Sequence, residues 1–121
     1  MSKVDFTNVH HYINQAAYQF IDVREPYELQ LDGFIQGFAC VPFYTTLIHK
    51  NIIQYVRDPK KEEAVLDKAA LLKAFDPTKD IYLMCNTGTR SGYLTLVLQN
   101  HGFRVTNLGG IHDYLALKKQ I

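Results

Sequence analysis

The chain has few cysteines, no tryptophan and no long apolar run. Its 121 residues include two cysteines and four prolines. No apolar stretch approaches the ~18 residues that a membrane-spanning helix needs, and the N-terminal MSKVDFTNVHH has no apolar core after Lys3 that would indicate a signal peptide. We therefore expect a cytoplasmic protein with no membrane partner, in which Cys40 and Cys85 are reduced thiols.

Charge and metal-binding residues are also unremarkable in their arrangement. The net charge is +1, from 13 basic and 12 acidic residues that are interspersed along the chain, so the sequence gives no indication of a nucleic-acid partner. The five histidines never recur four residues apart, and neither CxxC nor HExxH occurs. The sequence predicts no metal site.

Short strands alternate with helices along the whole chain. Such alternation predicts a single α/β domain over residues 1–121, with a mostly parallel central sheet flanked by helices on both faces. Strands are predicted over YQFIDV (18–23), FACVPF (38–43), IYLMC (81–85) and FRVTNL (103–108). Helices are predicted over 26–31, 43–56, 61–75, 91–102 and 111–120, with a shorter one that begins near residue 7.

Several finer predictions follow from the spacing of apolar residues and from turn chemistry. Thr7 is predicted to cap the first helix. The helix over 61–75 is predicted to turn five residues inward: Val65, Leu66, Ala69, Leu72 and Phe75. Cys40 lies in an apolar strand, which favours core packing over a redox role with Cys85. The pair Gly109-Gly110 is predicted to form a turn.

Cys85 occupies the end of a predicted central strand. The carboxyl ends of parallel strands form the edge where α/β domains bind ligands, and the next residues, Asn86-Thr87-Gly88-Thr89-Arg90, suit neither a strand nor a helix. A short loop before a helix points backbone N–H groups inward and forms a site for an anion. Cys85 could therefore be a nucleophile, although a buried spacer, a redox thiol or a metal ligand are the alternatives for a lone cysteine.

The loop residues favour a nucleophile. Gly88 permits a positive φ, and Arg90 adds a fixed positive charge. A thiolate would be stabilised by these groups and by the start of the following helix. Ser91 is predicted to be the N-cap of that helix and a hydrogen-bond donor to the sulfur. The loop thus combines a reactive sulfur with a cradle for an anionic substrate.

Asp22 and Arg24 end the first strand on the same side of the sheet. One interpretation gives them a substrate contact or an electrostatic effect on the site. The other makes them a buried anchor that orders residues 22–33, paired with Glu25 or Glu28, because a buried charge requires a partner.

Four segments together resemble the signatures of rhodanese-like domains. They are FIDVREPYEL (20–29), LDGFIQGFACVPF (31–43), IYLMCNTGTRSGYLTLVLQNHGF (81–103) and VTNLGGIHDY (105–114). The resemblance implies a sulfurtransferase that needs no cofactor. Cys85 would take the outer sulfur of a small anionic donor such as thiosulfate, become a persulfide, and pass that sulfur to a thiol, to cyanide or to a protein. The amides of residues 86–90 would hold the sulfur and the departing sulfite.

The resemblance leaves three other functions open. Family phosphatases and arsenate reductases have five residues between cysteine and arginine, whereas four separate Cys85 from Arg90 here, which favours the sulfurtransferase branch. A non-catalytic binding or regulatory module would keep the fold without turnover. A protein-dependent sulfur carrier or redox sensor would use Cys85 without a small-molecule substrate. Residues 43–75 would shape the rim of the site and could form a docking surface for a partner.

Overall fold

Four parallel strands form the centre of the molecule. The structure is a computed structural model that describes residues 3–47 and 67–118. Its strands are β1 (Tyr18–Asp22), β2 (Ala39–Cys40), β3 (Asp80–Cys85) and β4 (Arg104–Gly110). Its α-helices are α1 (Pro26–Asp32), α2 (Lys68–Ala74), α3 (Thr89–Asn100) and α4 (Ile111–Lys118), and it has a 3-10 turn at Val9–His11 and a π-helical turn at Phe43–Leu47.

The sheet runs in the order β2-β1-β3-β4, with every neighbouring pair parallel. Apolar side chains cover both faces, as expected for parallel strands connected by helices. On one face the inward residues of β1 and β3 pack against α2 and α3. On the other face the alternate residues pack against α4 and the N-terminal segment. The predicted α/β architecture with helices on both faces is confirmed.

A buried ion pair joins the end of β1 to α1. Asp22 and Arg24 are 1% and 0% exposed, and Arg24 Nη2 lies 2.8 Å from Asp22 Oδ2. The same guanidinium donates to the carbonyl oxygens of Gly33, at 2.8 Å, and Glu28, at 3.5 Å. Arg24 therefore contacts the middle of α1 and the glycine that follows it, as the anchor interpretation of this segment expects. Its carboxylate partner is Asp22 and not Glu25 or Glu28, which supplies only a carbonyl.

Helix α2 has a different phase from the one predicted. Asp67 caps it by accepting a hydrogen bond from the N–H of Ala70 at 3.1 Å, and this start directs Leu71 and Phe75 into the core. The prediction that Ala69 and Leu72 face inward is wrong, since both are exposed, Leu72 by 68%. Residues 61–66 of the predicted helix, and 48–56 of the preceding one, lie outside the described residues.

Two predictions about the chain around the strands are also wrong. Thr7 does not cap a helix, because its N–H and its hydroxyl both donate to the Asp5 carboxylate, and Asn8 precedes the 3-10 turn instead. Cys40 is exposed and does not pack in the core. It lies on the two-residue strand β2 at the edge of the described sheet, where its thiol donates to the Arg24 carbonyl at 3.5 Å.

Gly109 and Gly110 belong to β4 and do not form a separate turn. They pair with Met84 and Cys85, and the register shifts between Leu83 and Met84 because β4 has one extra residue there. After this bulge, β4 continues to pair with the end of β3. Among the described residues, no helix has the length and apolar character needed to cross a membrane.

We expect Arg24→Met to destabilise the fold by about 3–5 kcal/mol, because it leaves the Asp22 carboxylate buried without its partner. Urea unfolding followed by circular dichroism measures this change. Arg104→Met is the matched control: Arg104 pairs with Asp80 at 2.7 Å, but the two side chains are 60% and 45% exposed. Its cost should be about 1 kcal/mol or less. Equal losses in the two variants would contradict the anchoring role of Arg24.

Candidate active site around Cys85

Cys85 ends strand β3 at the carboxyl edge of the sheet and is 1% exposed. Two possible donors lie within hydrogen-bond distance of its sulfur: the N–H of Gly88, at 3.0 Å, and the hydroxyl of Ser91, at 3.3 Å. Strands β1 and β4 lie on either side of β3. The sulfur is thus held at the centre of the sheet edge by one backbone donor and one side-chain donor.

The loop after Cys85 is short because α3 begins at Thr89. Gly88 is the residue before the helix and has a φ of 94°, a conformation that glycine adopts without strain. The first N–H groups of a helix have no partner within it, and those of α3 lie at the end that faces the Cys85 loop. Together with the Gly88 amide, they give this edge the polarity that favours an anion.

The prediction that Ser91 is the N-cap of α3 is wrong, because the helix begins two residues earlier and Ser91 lies inside it. Its side chain is completely buried. The predicted contact with sulfur is confirmed, but the hydroxyl also lies 2.7 Å from Asn107 Oδ1. A hydroxyl carries one hydrogen and can donate fully to one acceptor at a time. The shorter distance favours the hydrogen bond to Asn107.

Arg90 is engaged by a carboxylate from another part of the chain. Its Nη1 and Nη2 donate to Glu28 Oε2 and Oε1 at 2.8 and 2.6 Å, a bidentate pair whose side chains are 13% and 9% exposed. Burial acts to lower the pKa of Arg90, but Glu28, with smaller contributions from Cys85 and Tyr44, raises it above its ordinary value. Arg90 is always charged, and that charge is largely balanced by Glu28.

Glu28 is fixed in turn by a second donor. Its Oε2 accepts the N–H of Glu25 at 2.8 Å. Burial acts to raise the pKa of Glu28, but the hydrogen bonds from Arg90 and from the Glu25 backbone outweigh it and hold the pKa below its ordinary value. Glu28 is therefore ionised at neutral pH and ties α1 to the first turn of α3.

The π-helical turn adds a third side to the site. Glu25 accepts hydrogen bonds from the backbone N–H of Tyr44, at 3.0 Å, and from the hydroxyl of Thr45, at 2.9 Å. This places the Tyr44 ring beside Arg90, whose Cζ lies 5.7 Å from the ring centroid. The start of the predicted rim segment thus contacts the site, while residues 48–66 of that segment lie outside the described residues.

Asn107 of β4 contacts both residues that donate to the sulfur. Its Oδ1 accepts the Ser91 hydroxyl, and its Nδ2 donates to the Gly88 carbonyl at 3.0 Å. Oδ1 also accepts the N–H of Gly109 at 3.1 Å, so the amide is braced by its own strand. No sequence pattern singled out this residue. Its one signal is an asparagine, a poor strand former, in the middle of a strand.

Gly110 brings the loop against β4. A Cβ atom at this position would lie 2.0 Å from the carbonyl oxygen of Asn86 and 2.7 Å from the Cα of Thr87. Both are backbone atoms of the Cys85 loop, so they could yield only if the loop itself moved. The absence of a side chain at Gly110 is therefore a condition for the position of the loop.

The remaining loop residues are less tightly held. Thr87 and Thr89 are exposed, with their hydroxyl oxygens 3.2 Å apart. Asn86 Oδ1 is buried and has no hydrogen-bond partner among the described residues. In that part of the chain, no group of three His, Cys, Asp or Glu side chains is arranged to hold a metal ion.

The second thiol is not placed to react with Cys85. Cys40 pairs with Asp22 across one strand boundary, and Asp22 pairs with Met84 across the next. Two strand spacings separate Cα atoms by roughly 10 Å, which exceeds the ~7 Å limit for a disulfide. Partial burial, followed by the charges of Asp22 and Glu25, raises the pKa of the Cys40 thiol. Asp22 and Arg24 serve mainly each other and the backbone of α1.

Comparisons with known proteins identify similar domains. The family model described as rhodanese-like domain matches residues 6–117. A rhodanese-related protein from Thermoplasma volcanium is 23% identical, with 96% of this chain and 92% of that chain covered at a TM-score of 0.59. A rhodanese-like domain protein from Staphylococcus aureus is 20% identical, with 94% and 91% covered at a TM-score of 0.60.

At these levels of identity the solved structures support the fold alone. A third one, from Staphylococcus saprophyticus subsp. saprophyticus, is 22% identical and covers 94% of this chain and 93% of its own, with a TM-score of 0.57. No curated protein sequence matches the chain.

We expect Gly110→Ala to lower the free energy of unfolding by about 2 kcal/mol or more, because the added methyl overlaps the Cys85 loop backbone. Urea unfolding measures the loss. Gly92→Ala is the control, since its Cβ would meet only Asn107 Nδ2, at 3.2 Å, and alanine favours the helix by about 1 kcal/mol. A Gly110→Ala protein as stable as the parent would contradict the close approach of loop and strand.

We expect Glu28→Gln to flatten the acid limb of the stability curve. The folded-state pKa of Glu28 lies below its ordinary value, so the ionised pair contributes stability that is complete above about pH 4.3 and is lost as the pH falls through the folded-state pKa. Glu28→Gln should be less stable by about 2 kcal/mol at pH 7, with a smaller difference from the parent near pH 3. Thermal unfolding across this range measures both curves, and parallel curves would refute the prediction.

Proposed function

Because the chain belongs to the rhodanese-like domain family, we propose that it is a sulfurtransferase in which Cys85 is the nucleophile and the carrier of a persulfide. The observation that supports this most directly is the hydrogen bond that the Gly88 amide donates to the Cys85 sulfur at 3.0 Å, with the Ser91 hydroxyl 3.3 Å from the same atom. A sulfur that accepts a backbone amide at the start of a helix is in the environment that stabilises a thiolate. A cysteine that only filled space would not need this donor.

The proposed reaction has two half-reactions. In the first, the Cys85 thiolate attacks the outer sulfur of thiosulfate, a new S–S bond forms, the S–S bond of the donor breaks, and sulfite leaves with the electron pair. In the second, a thiolate or cyanide attacks the outer sulfur of the persulfide, and Cys85 leaves as a thiolate. Each step transfers one neutral sulfur atom, so no cofactor is required.

The roles proposed for the loop follow from its contacts. Gly88 and the first amides of α3 would stabilise negative charge on the transferred sulfur and on the leaving sulfite. Ser91 would lie beside the sulfur, with Asn107 as a second acceptor for its hydroxyl hydrogen, and Asn86, Thr87 and Thr89 would line the approach. Arg90 would contribute less attraction for the donor than a free arginine, because Glu28 balances its charge. Asp22 and Arg24 would act at a distance, through the position of α1.

One observation favours a second function, that of a binding or regulatory module or a protein-dependent sulfur carrier. Cys85 is 1% exposed, so a donor must approach along the loop or the loop must yield. A partner protein that contacts the loop could provide this access, whereas a small donor acts alone. The two functions differ in whether thiosulfate by itself loads the sulfur.

We expect the reduced protein to gain the mass of one sulfur atom when it is treated with thiosulfate, and to lose it on addition of cyanide. Intact mass spectrometry measures both steps. Cys85→Ser should gain nothing and remain folded, because a serine hydroxyl can accept the same hydrogen bonds. Cys40→Ser is the matched control and should load like the parent. No gain in the parent with thiosulfate or other sulfane donors would refute the enzyme and favour the module.

A further inference from the structure

The Ser91 hydroxyl has two acceptors for one hydrogen. Asn107 Oδ1 lies 2.7 Å away, the usual length of an O–H···O hydrogen bond. The Cys85 sulfur lies 3.3 Å away. When Cys85 is a thiol, no conflict arises, because its S–H can donate to the Ser91 oxygen while Ser91 donates to Asn107. When Cys85 is a thiolate, sulfur and amide oxygen compete for the same hydrogen.

The Asn107 side chain is held in an orientation that favours the hydrogen bond from Ser91. Its Nδ2 is committed to the Gly88 carbonyl at 3.0 Å, which fixes the orientation of the amide and directs Oδ1 toward Ser91. The Gly109 N–H also donates to Oδ1 at 3.1 Å, which holds the side chain against its own strand. The Ser91 side chain is fully buried, so water does not offer it another partner.

We propose that Asn107 is a positioning residue that sets the protonation of Cys85 by holding the hydrogen of the Ser91 hydroxyl. This inference deepens the proposed function, on which its catalytic meaning rests. With the hydrogen directed to Asn107, the thiolate receives one full hydrogen bond, from Gly88, in place of two. The thiolate is then less stabilised and more nucleophilic, and the proton it releases on ionisation goes to solvent.

The effect of Asn107 on the sulfur can be separated from its effect on the loop. Gly88 keeps its position by other means, since its carbonyl accepts the N–H of Gly92 at 2.9 Å, and the preceding residues pack against Gly110. Removing the amide of Asn107 therefore leaves the Gly88 donor in place. The Gly88 carbonyl and the Gly109 N–H also lose a partner, but Asn107 is exposed, so water can replace it there. At the sulfur, the change is that the Ser91 hydrogen becomes free to turn to it.

The test is the titration of the Cys85 thiol, followed by the ultraviolet absorbance of the thiolate. Cys40→Ser is the background, and the same protein with Cys85→Ser provides the blank. The other groups around the site that carry or can carry charge are Arg90, Glu28, Tyr44, Asp22, Arg24 and Asp113, whose carboxylate accepts the N–H of Gly110 at 2.9 Å, and none of them is altered in these variants. Asn107→Ala should lower the pKa of the thiol by about one pH unit, because the thiolate gains a hydrogen bond to a charged acceptor.

Asn107→Asp should act in the opposite direction. It keeps an oxygen acceptor for Ser91 and adds a negative charge, so the pKa of the thiol should rise by about one pH unit. In a Ser91→Ala background, Asn107→Ala should have no effect on the titration, and Asn107→Asp a smaller one, because the hydroxyl that connects them to the sulfur is gone. Asn100→Ala, at an exposed position near the end of α3, is the control and should leave the titration unchanged.

A merely structural role would give a different result. In that case Asn107→Ala would lower thermal stability and leave the thiol titration unchanged, or would shift it equally with and without Ser91, and either result would overturn the proposal. Should Asn107→Ala not fold, the dependence of Asn107→Asp on Ser91 decides the question. The titration reports on Cys85 directly, so it is independent of whether thiosulfate loads the protein.

Discussion

A guanidinium that is fully buried needs acceptors on every side, and satisfying Arg24 determines much of the geometry near the sulfur. Asp22 provides the balancing charge, and the carbonyl of Gly33, at the far end of α1, accepts a hydrogen bond from Arg24. These contacts fix α1 against the end of β1. Glu28 projects from that helix to Arg90, 62 residues further along the chain. A charge at the sheet edge thus controls the start of the helix after Cys85.

The immediate surroundings of Cys85 rely on backbone more than on charge. Its closest donor is an amide, its loop depends on a glycine with positive φ, and its neighbour on β4 is a glycine because loop backbone occupies the space of a side chain. The single arginine of the loop is already paired. Such a site would distinguish its substrates mainly by how closely they can approach the amides, and less by long-range attraction.

The sequence predicted the parts of the fold that depend on local pattern. The apolar strands around Phe20 and Leu83 were placed to within one residue. The spacing of Leu94 and Leu98 identified the next helix, which begins and ends two residues earlier than predicted. The phase of α2 was wrong because the cap at Asp67, and not the periodicity, determines where that helix begins. The prediction that Cys40 packs in the core was wrong because an apolar strand at the edge of a sheet has no neighbour to cover it.

The candidate site was predicted in part for a similar reason. The Cys85 loop is contiguous, so its residues and spacing could be read directly. Glu28 and Asn107 come from distant segments, and no local pattern connects them to the loop. The place of Asn107 also depends on the pairing of β4 with β3, in which it lies opposite Leu83. Pairings of this kind follow from the register of the strands, which a single sequence does not specify.

The two edge strands of the described sheet, β2 and β4, affect how readily the domain would aggregate in a concentrated solution. A long, flat, unpaired strand invites another chain to add to it. Here β2 has only two residues, and β4 is interrupted by its bulge and begins at the exposed Arg104. Neither margin offers an uninterrupted row of free backbone groups. The same bulge that sets Gly109 and Gly110 opposite the end of β3 therefore also discourages strand-to-strand aggregation.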